Sequence, residues 1–520
     1  MNRTSVRVIL KNGFLFYCFL NFALTRAGAQ VNLQGGSATF NIPMFEWQDS
    51  RSRLHFSMSL NYNSGSGLKV NDIASNAGQG WNLMAGGAIT RMQNGEPDDQ
   101  YPYYTGTSEQ NNDLAKYPAG YLYNPDDVKT KGCPSALAKY PIFGDKNHIY
   151  RQKNAVAMDR ELDYFAFNFN GKSGLFVLNK YNNTGFMLGD SKIKIRFVLS
   201  PADLSYGSKT IRTRISTFFI QDEDGLTYRF GTYKDDPAFR LGLTKVMRTG
   251  YCHADGTQML TQPKFKNSKV YYQSLFEDNS NQYPYTKTTN PYIVNSWYLT
   301  EIIDSFTNRR ILFTYGYKTV TDPDQISFTW NKEKDYSIIS RKATQSEVPE
   351  LLSITFPDEQ STIYQHFKIN LNYGADRLDV KGEKVISTVD IQYINSNLTK
   401  TAARYELKTS YFILNRYGTP ASDFEKSVAR LCLLAVKKYG VDLKADDQPY
   451  LFDYYMGSNA ADDFVPPYSF PAKDIWGYYQ PFHRIGDISR FIFLLLRMQN
   501  LEVLIGQKID GRKLSHGQNE

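Results

Sequence analysis

The chain has 520 residues, several times the usual domain size, so it can bury a large core in more than one module. Its formal charge of +8 is small for that length and no segment concentrates Lys and Arg, which argues against a nucleic-acid partner, since such binders cluster their basic residues. Aromatic residues reach 15%, with 38 Tyr and 33 Phe, a bias toward pleated, half-exposed surfaces rather than helices.

Residues 1–29 read as an export signal. Arg3, Arg7 and Lys11 precede an apolar run over 14–24, and Ala27, Gly28 and Ala29 supply a small-residue cleavage site before Gln30. The expected cut follows Ala29, which gives a secreted or cell-surface chain beginning at Gln30. The apolar run is about half of the ~20 residues a membrane span needs, so a short anchor is the lesser reading, and no transmembrane helix is expected in the mature chain. Cys18 leaves with the signal, because Phe16 and Tyr17 are too bulky for a lipobox.

The next segment is a β-module over 30–99. Leu54, Phe56, Met58, Leu60 and Tyr62 alternate with His55, Ser57, Ser59 and Asn61, and the run stops at Asn63-Ser64-Gly65-Ser66-Gly67. Period two with a Ser/Gly stop predicts a half-buried strand entering a turn. Gly78-Gln79-Gly80-Trp81-Asn82-Leu83, Gly87-Ala88-Ile89-Thr90-Arg91 and Gly95-Glu96-Pro97-Asp98-Asp99 follow. Trp81 is expected to be buried against the 54–62 strand.

Together with Asn41-Ile42-Pro43 and Leu60-Asn61-Tyr62-Asn63-Ser64, these motifs resemble, in order and approximate spacing, the N-terminal module of secreted RHS/YD-repeat proteins, related to the SpvB-type module of toxin-complex B subunits. The resemblance singles out Pro43, Tyr62, Gly80, Trp81, Gly87, Arg91, Pro97 and Asp98 as structural positions, with Trp476 in Asp474-Ile475-Trp476-Gly477-Tyr478-Tyr479 as a later mark. It implies β-sheet walls of a hollow shell enclosing a C-terminal effector, often a toxin. The implied partner is a downstream RHS or toxin polypeptide, or a secretion partner. No tandem YD repeats and no effector domain are recognisable in the 520 residues.

Residues 100–160 lack a period and are rich in Tyr, Asn, Asp, Pro and Gly, which predicts a loop-rich insertion. Over 161–485 hairpins recur. Phe165, Phe167 and Phe169 alternate ahead of a turn placed at Gly171-Lys172-Ser173-Gly174. Asp222-Glu223-Asp224-Gly225 separates two apolar runs, with Asp-Gly as the positive-φ pair. A third hairpin runs from Trp297 to Tyr315 and resembles a degenerate YD unit with Asn308 where that repeat has Gly. Alternation returns at Phe367, Ile369, Leu371 and Tyr373, and at Val389, Ile391 and Tyr393. The segment 427–439 fits no clean helical stripe and is read as strand. The whole is expected to be all-β, with antiparallel hairpins forming sandwich-like or curved open sheets and little helix. The tail over 486–520 carries an apolar run at 491–496 with no evident sheet partner. It reads as the end of a truncated or frame-shifted larger protein.

Candidate chemistry is sparse. Asp222 and Asp224 could offer carboxylates to calcium, which takes six to eight oxygens, more than one hairpin tip supplies. Gly171-Lys172-Ser173 lacks the upstream Gly and following helix of a phosphate loop. Cys252-His253 with Asp255 has nucleophile, base and orienter types, but neighbours on an extended chain point to opposite faces. The acidic pairs Asp98-Asp99, Asp126-Asp127, Asp235-Asp236 and Asp462-Asp463 read as solvated turns. The six histidines show no metal-ligand spacing. Cys133, Cys252 and Cys432 are too few for a disulfide scaffold; one bridge is allowed among them, with its partners open. No cofactor motif is read. Three functions stand at this point: a non-enzymatic shell module, a β-sandwich that binds carbohydrate or a surface glycan through Tyr and Trp, and a secreted hydrolase using paired carboxylates.

Overall fold

Alternating apolar and polar residues become strands along most of the described residues. The computed structural model describes residues 28–100, 120–123, 161–231, 241–252, 293–358, 366–454 and 468, with short breaks inside these ranges. Residues 1–27, where an export signal is expected, most of residues 100–160, Cys133, His253, Trp476 and the 486–520 tail lie outside the described residues. Among the described residues no helix is long and apolar enough to cross a membrane.

The first sheet follows chain order: β1 (Gly28–Val31), β2 (Ala38–Gln48), β3 (His55–Asn63) and β4 (Trp81–Met84), all antiparallel. Phe56, Met58 and Leu60 are buried on β3, whereas Ser57 is exposed, as a two-residue period requires. Tyr62 lies opposite Trp81 in the β3–β4 register. Pro43 sits where the β2–β3 register shifts, a place that tolerates a residue with no N–H to donate.

The chain then builds a closed barrel. Its strands are β5 (Gly87–Met92), β6 (Tyr164–Phe169), β7 (Lys172–Asn179), β8 (Thr184–Met187) and β9 (Lys194–Leu199). A small hairpin, β10 (Leu204–Tyr206) and β11 (Lys209–Ile211), precedes β12 (Ile215–Gln221) and β13 (Leu226–Gly231). After β14 (Leu241–Cys252) comes β15 (Ile293–Asp304), which pairs with β13 along 299–304 and with β5 along 296–298. That second pairing closes a ring of eight antiparallel strands, β5-β6-β7-β8-β9-β12-β13-β15. An eight-stranded ring is just wide enough for side chains to fill. Phe165, Phe167, Phe169, Phe176, Phe197, Phe218, Phe230, Tyr228 and Trp297 fill it.

The remaining strands are β16 (Arg309–Thr321), β17 (Gln325–Asn331), β18 (Tyr336–Thr355), β19 (His366–Asp376), β20 (Lys384–Asn395), β21 (Leu398–Ile413), β22 (Arg416–Gly418), β23 (Arg430–Tyr439) and β24 (Tyr450–Leu451). They grow outward from β15 as a sheet running β16-β18-β19-β20-β21-β23-β24. The first sheet packs on this one. Phe45 meets Phe356 and Phe367 with ring centroids 5.3 and 5.8 Å apart, and Trp81 meets Phe452 at 4.5 Å. Rings from both sheets thus make one aromatic core, to which edge-to-face pairs add about 0.5–1.5 kcal/mol each beyond their burial.

The all-β expectation holds, with local corrections. Beside the sandwich-like sheets stands a closed barrel, which depends on a pairing between residues more than 200 positions apart that alternation cannot reveal. The 427–439 segment is strand over 430–439, but a one-and-a-half-turn helix, α1 (Asp423–Val428), precedes it, capped by Ser422 accepting from the Glu425 amide. The β6–β7 turn is the pair Asn170-Gly171, at φ 43° and 76°, so Lys172, Ser173 and Gly174 belong to β7. In the β12–β13 loop Gly225 alone takes positive φ; Asp224 does not. Asn308 has φ 56°, a left-handed conformation that Asn adopts more readily than most residues other than Gly.

Candidate functional site

The motif residues fall into separate knots, one at the barrel and one where the first sheet meets the long sheet. Arg91, at the end of β5, is completely buried and donates to Asp99 Oδ1 at 2.5 Å, with its Nε 3.5 Å from Asp163 Oδ2. Its guanidinium lies 5.5 Å from the Phe165 ring and 5.2 Å from the Trp297 ring. A cation on aromatic faces gains most when desolvated, as here. Asp99 Oδ2 accepts the backbone N–H groups of Arg214 and Ile215 at 2.8 and 2.5 Å, which ties the motif to the start of β12. Asp98 and Asp163 cap each other: Asp98 N donates to Asp163 Oδ2 at 2.9 Å, and Asp163 N donates to Asp98 Oδ1 at 3.1 Å.

All three carboxylates are 0% exposed, which corrects the reading of Asp98-Asp99 as a solvated turn. The reason is that the turn folds inward, under the barrel, where Arg91 and backbone amides replace water. Burial, followed by the nearby charge of Asp163, pushes the Asp98 carboxyl up to about 8. Burial likewise pushes Asp163 up to about 6, against the pull of Arg91. Sequence reasoning named Arg91 and Asp98 but missed Asp163, which stands 65 residues from Asp98 with no motif around it. Asp126-Asp127, Asp235-Asp236 and Asp462-Asp463 lie outside the described residues.

A second knot holds the Gly78-Gln79-Gly80-Trp81 motif. Gln79 N donates to Leu431 O at 2.7 Å, and Gly78, at φ 126°, approaches β23 so closely that an added Cβ would lie 2.8 Å from Leu433 N. Only glycine fits there. Gly80 is at φ 76° beside the Tyr62 ring. Nearby, Asp379 takes two hydrogen bonds from Arg377, at 2.9 and 2.7 Å, and one from Leu431 N at 3.2 Å, while Arg377 Nη1 donates to Ala74 O at 2.7 Å. Arg430, also buried, donates to Val70 O at 3.0 Å and lies 3.2 Å from the centre of the Tyr468 ring.

The hairpin tips form a third contact. Asp222 Oδ1 accepts from Leu226 N at 2.9 Å, and Asp222 Oδ2 accepts from Tyr228 OH at 3.1 Å. Lys172 Nζ stands 3.4 Å from Asp222 and 3.9 Å from Asp224. The carboxylates considered for calcium therefore already face an ammonium group. No group of three or more His, Cys, Asp or Glu placed to hold a metal occurs among the described residues. Arg53 bridges two tips, donating to Asp224 O at 2.7 Å and to Asp304 Oδ1 at 2.8 Å. Arg309 and Asp49 form a further ion pair between the β15–β16 tip and the first sheet.

Of the other candidates, Cys432 is a buried free thiol on β23, its acidity suppressed by burial to a value of about 12. Cys252 is on β14, with its side chain outside the described set. Pro97 is buried beside Asp98, and Gly87 packs against Phe169. Gly28 and Ala29, at the expected cleavage point, pair in β1 with Asn41 and Phe40. No family model matches the chain and no curated protein matches it.

Proposed function

We propose that this chain is a non-enzymatic structural module of an exported RHS/YD-type protein, a β-sheet wall that works by assembling with a downstream RHS or toxin polypeptide. The observation that carries this reading is the run of five linked motifs between 41 and 99, in the order the family uses, with its residues spent on architecture. Tyr62 and Trp81 pair across β3 and β4, Gly78 and Gly80 let the loop reach β23, and Arg91, Asp98 and Asp99 lock the barrel. The export signal agrees with a secreted or cell-surface destination. The hydrolase reading gains less from the geometry, because Asp98 and Asp163 are sealed from solvent and occupied with each other's backbone.

The test is turnover. Purified mature protein should leave a panel of glycoside, ester, peptide and phosphate substrates unchanged. Activity that disappears on changing one residue would overturn the reading.

A glycan-binding role keeps one observation in its favour: Tyr181 is 86% and Phe186 67% exposed on β8 and the turn before it, where flat faces could stack on sugar rings. Binding on a glycan array that is lost in Tyr181→Ala would favour it.

A further inference from the structure

Asp98 stands in an unbalanced cluster. Three buried carboxylates, Asp98, Asp99 and Asp163, face one guanidinium, Arg91. Arg91 is committed to Asp99 and lies beside Asp163, so no cation contacts Asp98 directly among the described residues. Asp98 Oδ1 accepts from Asp163 N, but Asp98 Oδ2 has no hydrogen-bond partner among the described residues; the same is true of Arg91 Nη1. An ionised carboxylate with a bare, buried oxygen next to two other anions is costly, whereas the neutral carboxyl costs far less.

The groups around Asp98 come from every packed element. Arg91 faces it from β5, Asp163 from the residues leading into β6, Asp99 from its own turn, and Tyr121 from the 120–123 segment. The backbone of Asp98 also holds that segment: Leu122 N donates to Asp98 O at 2.9 Å, and Gly120 N donates to Gln100 O at 2.9 Å.

We propose that this cluster is a proton-operated latch, closed while Asp98 carries a proton on Oδ2 and loosened when that proton leaves, which frees 97–100 and 120–123 from the base of the barrel. The latch does not depend on the shell reading. Its sign follows from linkage. A carboxyl that holds its proton more tightly when folded gives stability that is fully present below its unfolded value near 3.9 and is lost as pH rises through its folded value of about 8. Asp163, raised to about 6, acts in the same direction. The latch therefore opens toward alkaline pH, the reverse of most buried, ion-paired carboxylates.

Hydrogen exchange on the full-length protein, corrected for the intrinsic pH dependence of exchange, tests this. Between pH of about 5 and about 8, protection at Gly120 and Leu122 should fall, by up to about tenfold per pH unit for one linked proton, and level off above that, while the β19–β20 hairpin stays unchanged. Asp98→Asn imitates the protonated form and should keep these amides protected across the range. Asp163→Asn removes the neighbouring negative charge and should move the loss to lower pH. Flat protection in the wild type, or an unaltered pH response in Asp98→Asn, would overturn the proposal. If Asp98→Asn does not fold, the wild-type profile and Asp163→Asn decide the matter.

Discussion

Trp81 Nε1 donates to the Tyr454 hydroxyl at 2.7 Å, across 373 residues of chain, and that hydroxyl in turn donates to Leu433 O at 2.7 Å. The relay crosses from the first sheet to β23 and satisfies a polar atom on a side chain only 2% exposed. Trp81→Ala removes the ring that packs on Phe40, Tyr62 and Phe452 and should cost about 3–5 kcal/mol, a large part of a typical folding stability. Tyr454→Phe keeps the ring but takes away the acceptor of the buried indole N–H, and should cost about 1–3 kcal/mol. Urea denaturation monitored by circular dichroism checks both; a loss below about 1 kcal/mol in Trp81→Ala would show that the two sheets are joined elsewhere.

Acid should unfasten the hairpin tips. Burial raises the Asp304 carboxyl, but hydrogen bonds from the Arg53 side chain and from the Arg53 and Phe306 amides outweigh it and hold the group well below the usual carboxylate range. Asp49 is lowered too, chiefly by Arg309 and Ser52 working against burial. Groups depressed on folding give stability that is present above their unfolded value and lost as pH falls below it. Asp304→Asn should flatten the acid side of the stability curve below pH of about 4 and leave the alkaline side alone. Unchanged acid sensitivity in that variant would assign the acid limb to other carboxylates. Arg53 is 41% exposed, so solvent screening keeps the gain at neutral pH modest.

Cys432 should be silent to thiol reagents while the protein is folded. It is fully buried and its thiol is pushed up to about 12, so almost no thiolate exists at neutral pH. Alkylation followed by peptide mass spectrometry should find it unmodified in native protein and modified in denaturant. Rapid native labelling would mean that β23 opens readily.

Much of this architecture was legible because strands with one buried face write themselves in period two. The 54–62 strand, the Phe165-Phe167-Phe169 strand and the Trp297–Tyr315 hairpin all appear where alternation placed them. Partners at long range were not legible. Nothing near Trp297 marks its pairing with Ile89, and nothing near Asp163 marks its exchange of hydrogen bonds with Asp98. The Asp98-Asp99 pair was misread for the same reason: a Pro-Asp-Asp sequence is usual for a wet turn, and the arginine that draws it inward is seven residues upstream on a strand whose inner face only the closed barrel defines.

The most direct test of the shell-module account is to co-express the full chain with the polypeptide encoded immediately downstream and examine the purified product by light scattering and electron microscopy. The account predicts a downstream frame with YD repeats and a stable one-to-one complex with a hollow interior. A downstream frame without such repeats, together with a chain that stays monomeric beside its product, would contradict it.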